Sequence, residues 1–300
     1  MRAVVIGLGT QGYKRLKSLK KKNLFICSVD PVNNEAGEKK ISSLKKYNYD
    51  TVFLCVPDNV KKKYILFFLK KKKNVFVEKP LKLKNNELTN IEKLANFQKV
   101  IFYIAYNHRF EPHLVTVKKY IKKKTIGKIY NLKMYYGNGT AKLVNKSWRQ
   151  KKLSIVDDLG SHLIDQLIFF FGKKKYQIHE KFKKKLENKN VDYSNIILSY
   201  DKFIVNLEVS YCSWQNTFQF YLIGSKGSIK IDNLCKWGPS TLQLQKRVLP
   251  SGVPKILSKT IVSSDPTWDK ELYFFKNLIA KNKVNNLDKD KFIKNFLDKV

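Results

Sequence analysis

Arginine is scarce in this chain, confined to Arg2, Arg15, Arg109, Arg149 and Arg247, although lysine carries the formal net charge to +36. Base-edge readout and bidentate phosphate contacts draw on the arginine fork, so its scarcity argues against a specific nucleic-acid role. The lysines come in short runs, among them Lys20–Lys22, Lys70–Lys73 and Lys122–Lys124. Several runs fall at the ends of helix-like segments, where cations suit the helix dipole. They form a solvated basic surface that attracts anionic ligands. Cysteine is sparse too: Cys27, Cys55, Cys212 and Cys235 are scattered, three of them inside apolar runs. That spacing argues against a disulfide framework and suits free thiols in a reducing compartment. No apolar run reaches the ~18 residues of a membrane span, and the first one is too short for a signal peptide. A cytoplasmic protein is expected. The chain shows no repeat, nucleophile elbow or metal-ligand spacing, so no metal is expected.

What is present begins at the N-terminus. Ala3-Val-Val-Ile6 is a short apolar run, followed by Gly7-Leu-Gly9-Thr10-Gln11-Gly12 and then a helix-like pattern with Leu16 and Leu19. This is strand, Gly-x-Gly-x-x-Gly turn and helix N-terminus: Gly7 for the tight turn, Gly9 for approach to a pyrophosphate, Gly12 for helix–strand packing. Free N–H groups at the helix start attract phosphate. A second run, Leu24–Val29, ends in Asp30, spaced to hold a ribose hydroxyl. The alternation continues with a helix at 41–47, a strand at 50–56 stopped by Pro57, a helix at 59–72, a strand at 74–77, a helix at 84–97 and a strand at 100–105. Such a rhythm predicts a doubly wound parallel sheet. With 300 residues, 43% of them hydrophobic, the chain has room for two domains.

The ordered set Gly-Leu-Gly-x-x-Gly, Asp30, Val56-Pro57, Glu78-Lys79-Pro80, Tyr106-Asn107-His108-Arg109-Phe110 and Asp158-Leu-Gly-Ser-His162-Leu-Ile-Asp165 resembles the Gfo/Idh/MocA oxidoreductases. The resemblance runs from about Ala3 to Gly227 and includes Ile126-Gly-Lys-Ile129, Trp148-Arg149 and Gly224-Ser-Lys-Gly-Ser228. It implies an α/β architecture: a Rossmann domain over 1–118, then an α/β domain over 119–300 with an open, largely antiparallel sheet. The C-terminal helices would pack back on the first domain, and the sheet would serve a homodimer or homotetramer. It carries Lys79, Asp158 and His162 onto the family's catalytic residues. Gly7, Gly9, Thr10, Gln11, Gly12, Asp30, Val56, Pro57 and Glu78 fall on the cofactor, and Asn107, Arg109, Trp148, Arg149 and Asp165 near substrate.

The residues suit those roles on their own terms. Lys79 closes a strand and is locked by Pro80; a partly desolvated lysine there suits proton relay or polarisation of a substrate oxygen. Asp158 and His162 are four apart, on one face if Leu159–Phe171 is helical, so the carboxylate can orient an imidazole acting as general acid/base. Gly160 fits a close approach to ligand. For His108, His113 and His179 the spacing argues for neither catalysis nor metal, though Tyr106 and His108 lie at the same strand mouth. Asp30 favours NAD over NADP, because a carboxylate repels a 2′-phosphate. The expected reaction is hydride transfer between nicotinamide and a carbinol carbon of a sugar, nucleotide-sugar or cyclitol. The basic field suits an anionic substrate, such as a nucleotide-linked sugar for surface-glycan synthesis. A non-catalytic, dinucleotide-sensing regulatory protein is the alternative. The chain also departs from its relatives: Lys61 stands where they usually carry a histidine, and Lys152-Leu-Ser-Ile155 where many carry glycines.

Remaining strands are read at 195–200, 203–211, 217–223 and 228–231, joined by turns such as Gly224-Ser-Lys-Gly227, with closing helices at 268–281 and 289–300.

Overall fold

A computed structural model of the chain describes residues 1–145 and 154–300. It divides into two compact units, Met1–Asn107 with Thr267–Lys294, and His108–Pro266 with Asn295–Val300. The first unit therefore closes at Asn107, where the sequence places a boundary at 118, and it takes back a late segment. The physical reason lies in the helix Pro112–Lys122, whose buried Leu114 and Val117 pack with elements of the second unit.

The first unit holds a parallel sheet of five strands in the order β2-β1-β3-β4-β5: β1 Ala3–Ile6, β2 Phe25–Val29, β3 Thr51–Leu54, β4 Asn74–Glu78 and β5 Phe102–Ala105. Helices α1 (Thr10–Lys21), α2 (Asp58–Lys70) and α3 (Asn85–Phe97) form the crossovers. Strands β1 and β3 are buried throughout, as expected for strands covered on both faces. One side is sealed by aromatic packing: Phe53 stacks on Phe76 at 4.6 Å, and Phe275, from the returning segment, meets Phe76 edge-on at 5.2 Å. The segment read as a helix at 41–47 is a 3-10 helix, Ile41–Lys46.

Among the described residues the second unit has an eight-stranded sheet in the order β13-β12-β11-β10-β6-β9-β8-β7. Its strands are β6 Ile129–Gly137, β7 Tyr176–Lys184, β8 Tyr193–Tyr200, β9 Phe203–Ser210, β10 Thr217–Gly224, β11 Gly227–Asp232, β12 Ser240–Lys246 and β13 Lys255–Ile261. All neighbours run antiparallel except β6 and β9. Alternation sets one face inward, most plainly in β8, where every second residue is buried. Helices α4 (Pro112–Lys122), α5 (Ala141–Asn145) and α6 (Ser161–Phe171) belong to this unit. Along α6, every residue from Ser161 to Ile168 is buried. Helices α7 (Thr267–Ala280) and α8 (Asp288–Lys299) follow β13. Among the described residues no helix is long and apolar enough to cross a membrane.

Candidate active site

In-line register across the parallel sheet puts Ile6 beside Val29 and Leu54, and Glu78 beside Ala105. The residues that follow each strand thus emerge along one carboxyl edge, where open α/β sheets bind ligands. Gly7 turns there with φ +90, and a side chain on it would meet the Cys55 carbonyl oxygen at 2.6 Å. Gly12 is tighter: its Cβ would lie 1.9 Å from the Gly7 carbonyl oxygen. Gly12→Ala is therefore expected to abolish dinucleotide binding and to lower the melting temperature; a variant that binds NADH as tightly as wild type would contradict that packing.

Gly9 is the open one, exposed and with nothing within 4 Å of its would-be Cβ. It caps α1, whose first turn, with Thr10 and Gln11, carries no acidic side chain. Free amides and open space at a helix N-terminus fit a pyrophosphate. Asp30 sits at the end of β2. Its Oδ2 accepts from the Leu8 amide at 2.7 Å, and its Oδ1 from the amides of Val32 and Asn33 at 2.9 Å each. Burial works against the charge, but these amides outweigh it and hold the carboxyl below the usual aspartate range. The carboxylate is thus a fixed anion joining the glycine turn to its own loop, with capacity left for ribose hydroxyls. Val56 is half-buried beside this edge, and exposed Pro57 caps α2.

Glu78 and Lys79 leave the sheet together but turn to different work. The Glu78 carboxylate is buried against Arg15, with Nε to Oε1 at 2.6 Å, and Arg15 reaches Glu271 at 2.7 Å with its Nη2. The Glu78 charge is spent on Arg15 of α1, which also pairs with Glu271 of α7. Lys79 is half-buried, and its peptide bond to Pro80 is cis. Lys61, buried on α2, donates to the carbonyl oxygens of Glu78 at 2.6 Å and Pro80 at 2.5 Å.

In the second unit, the helical run expected from Leu159 starts earlier and differently. Val156–Gly160 is a π-helical turn that leads straight into α6, and it carries Asp158. Such turns re-aim side chains and recur at functional sites. Gly160 makes room within this turn, since a Cβ on it would lie 2.9 Å from Val156 Cγ1. The Asp158 carboxylate accepts from the Tyr211 hydroxyl at 3.0 Å, and His162 follows on α6. The His162 imidazole stacks on that of His108, centroids 3.9 Å apart and planes within 15°. Tyr136 lies beside both rings, and Trp237 lies 5.4 Å from Tyr136. Lys236 Nζ is 2.7 Å from His108 Nε2. The Gln166 amide nitrogen lies 3.4 Å from His108 Nδ1, so both ring nitrogens face a polar group. Asp165 is clamped by Arg109 through two bonds of 2.6 Å.

Of the residues read from the sequence, the structure thus gathers Asp158, His162, Arg109 and Asp165 in one unit, and the glycines, Asp30, Val56, Pro57, Glu78 and Lys79 along one edge of the other. Asn107 closes the first unit with its side-chain amide on the Thr267 hydroxyl at 2.8 Å. Trp148 and Arg149 lie outside the described residues. Sequence reasoning missed Lys236, Trp237, Tyr136 and Tyr211, which carry no motif of their own. It also set His108 aside, although the stack gives it a place. Among the described residues no three His, Cys, Asp or Glu side chains are grouped to hold a metal ion.

Residues 1–106 match the profile described as oxidoreductase family, NAD-binding Rossmann fold, and residues 114–230 match the Gfo/Idh/MocA C-terminal domain. The chain belongs to the Gfo/Idh/MocA family. Within the family it is 26% identical over 156 residues to scyllo-inositol 2-dehydrogenase (NADP(+)) of Bacillus subtilis, covering 51% of this chain and 43% of the relative. It is 24% identical over 237 residues to glucose-6-phosphate 3-dehydrogenase of the same organism, covering 70% and 67%. The aligned part is thus about half the length of several such relatives. Levoglucosan dehydrogenase in complex with NADH and L-sorbose superposes with a TM-score of 0.84 at 15% identity, over 99% of this chain and 95% of that one. A 3-ketoreductase from Actinomadura kijaniata, in complex with TDP-benzene and NADP, gives 0.80 at 14% identity, over 100% and 96%. At such identities the likeness is one of fold.

Proposed function

We propose that the protein is an NAD(P)-dependent oxidoreductase working on a carbinol carbon of a sugar, nucleotide-linked sugar or cyclitol, with Lys79, Asp158 and His162 as its catalytic residues. The observation that carries the reading is the buried, stacked imidazole of His162, following Asp158 in a chain with a dinucleotide-fitting glycine edge. When bound, the dinucleotide supplies the hydride acceptor or donor. His162 takes the hydroxyl proton in oxidation and returns it in reduction. Stacking on His108 restrains the ring, and Asp158 compensates the charge it gains. Lys79 donates to the substrate oxygen as it becomes a carbonyl. Arg109 and Asp165, locked together, present a fixed polar pair, and Asn107 borders the first unit's edge. The named substrates of the two Bacillus relatives are ring polyols, which supports the class. Lys236 adds a cation beside the histidine pair, and with the basic surface it suits an anionic substrate such as a nucleotide-linked sugar.

NAD is favoured over NADP because the fixed Asp30 carboxylate would oppose a 2′-phosphate. Calorimetric titration with NADH and NADPH is expected to show NADH binding about tenfold tighter or better, a difference of about 1.4 kcal/mol. Asp30→Ala should erase most of that preference. Equal affinities in the wild type would remove the NAD assignment. Binding of neither cofactor would overturn the enzymatic reading and return the glycine turn to plain architecture.

A further inference from the structure

We propose that Lys61 is a positioning residue for Lys79: its buried ammonium grips the backbone on both sides of Lys79 and so fixes where that side chain is delivered. The inference rests on the catalytic assignment of Lys79. Lys61 sits in the first turns of α2 and is 3% exposed, at a position where a helix facing a sheet ordinarily places an apolar residue. Burying an ammonium is costly unless its donors are met. Here they are met by the carbonyl oxygens of Glu78 and Pro80, the two that bracket Lys79, with the Asp58 carboxylate 3.3 Å away.

The same helix start takes a further hold just downstream. Asp58 Oδ2 accepts from the Lys82 amide at 3.2 Å, so two side chains of α2 secure the segment from Glu78 to Lys82. The Glu78 side chain is tied down separately by Arg15. Lys79 thus lies between two anchored residues, Glu78 and Pro80, and its side chain is half-buried at the sheet edge. Lysine suits the grip chemically. An ammonium has three donors and serves two carbonyls at once, whereas a neutral imidazole has a single N–H. Burial drives the proton affinity of Lys61 down, against which the Asp58 and Glu78 charges pull it up.

The test is the crystal structure of Lys61→Met beside that of the wild type, with thermal melting of both. Without the ammonium, the Glu78 and Pro80 carbonyls are expected to swing off their present lines and Lys79 Nζ to move by about 1 Å or more. A misplacement of that size costs on the order of a hundredfold in rate. Lys79 superposing on its wild-type position, with only a lower melting temperature, overturns the proposal and leaves Lys61 a stabilising strut. Should Lys61→Met fail to fold, Lys61→His takes its place, crystallised at about pH 5 and about pH 8, on either side of the ordinary imidazole range. Imidazolium, with two N–H donors, should hold Lys79 in place at the lower pH, and neutral imidazole should release it at the higher one. One Lys79 position at both pH values overturns the proposal. Failure of the underlying reading looks different: NAD(P)H turnover undiminished in Lys79→Ala.

Discussion

His162→Ala is expected to lower turnover by about 10²–10⁴-fold, the range for loss of a general acid/base, while NADH affinity stays near the wild-type value. The expectation follows from where the residue lies. His162 is on α6 of the second unit, whereas the glycine turn and Asp30 belong to the first. Removing the imidazole leaves the pyrophosphate edge intact but takes away the group that moves the hydroxyl proton. The ring also stacks on His108, so some stability will be lost with it. A His162→Asn variant keeps more of the packing and should be equally slow. Turnover of a sugar or cyclitol with NAD, measured beside cofactor titration and melting, checks the expectation. Turnover retained to within about tenfold would remove His162 from the chemistry, and a parallel collapse of NADH binding would mean that the fold was damaged.

Arg15→Met should destabilise the first unit by about 3–5 kcal/mol, the usual cost of leaving buried charges without their partner. The guanidinium is 2% exposed and lies between the Phe76 and Trp268 rings, 4.4 and 4.3 Å from their centroids. It is the counter-ion of two carboxylates, Glu78 and Glu271. Glu271 is fully buried, and its other oxygen is already taken by the Tyr106 amide at 2.8 Å and the Tyr103 hydroxyl at 3.1 Å. Burial pushes the Glu271 carboxyl above its ordinary range, Arg15 opposes that, and Glu78 adds to it. A carboxyl raised in the folded state binds a proton that the unfolded chain has released, so protonation favours folding as pH falls toward the unfolded value. Without Arg15 the rise grows. The penalty of the variant should therefore be smaller at about pH 5 than at about pH 8, since protonation relieves the unpaired buried charge. Urea unfolding at both values reads it, and a penalty that grew toward acid would contradict the buried-charge account.

Local signals explain what was legible. Ala3–Ile6, Thr51–Leu54 and Asn74–Glu78 are short apolar runs bounded by turn residues, and each is a strand of the parallel sheet. The glycine turn, Asp30 and Lys79 stand at strand ends because the alternation of elements fixes where strands stop. In the second unit, β8 to β11 were readable from alternation and from the Gly224–Gly227 turn. The edge strands β7 and β13 were not, since their lysine-rich, largely exposed side chains leave no buried face to betray a period of two. The π-helical turn at Val156–Gly160 was hidden as well, because it shares its composition with an ordinary helix start. The Arg15–Glu271 pair spans a sequence separation of 256, beyond any local pattern. Lys236 reaches His108, and Trp237 reaches Tyr136, through the strand order of the second sheet, which spacing along the chain does not reveal.

The late return of Thr267–Lys294 has a consequence for how the protein is made. During vectorial synthesis the five strands of the first sheet leave the ribosome well before residues 271, 275 and 285 exist. Until then Arg15 lacks Glu271, the aromatic face lacks Phe275, and β5 lacks Asn285, which accepts from the Phe102 amide at 2.7 Å and donates to the Val100 carbonyl at 2.8 Å. The nascent nucleotide-binding half must therefore wait, incompletely neutralised and with apolar surface uncovered, while the whole second sheet is translated. Chaperone demand should be concentrated in that interval.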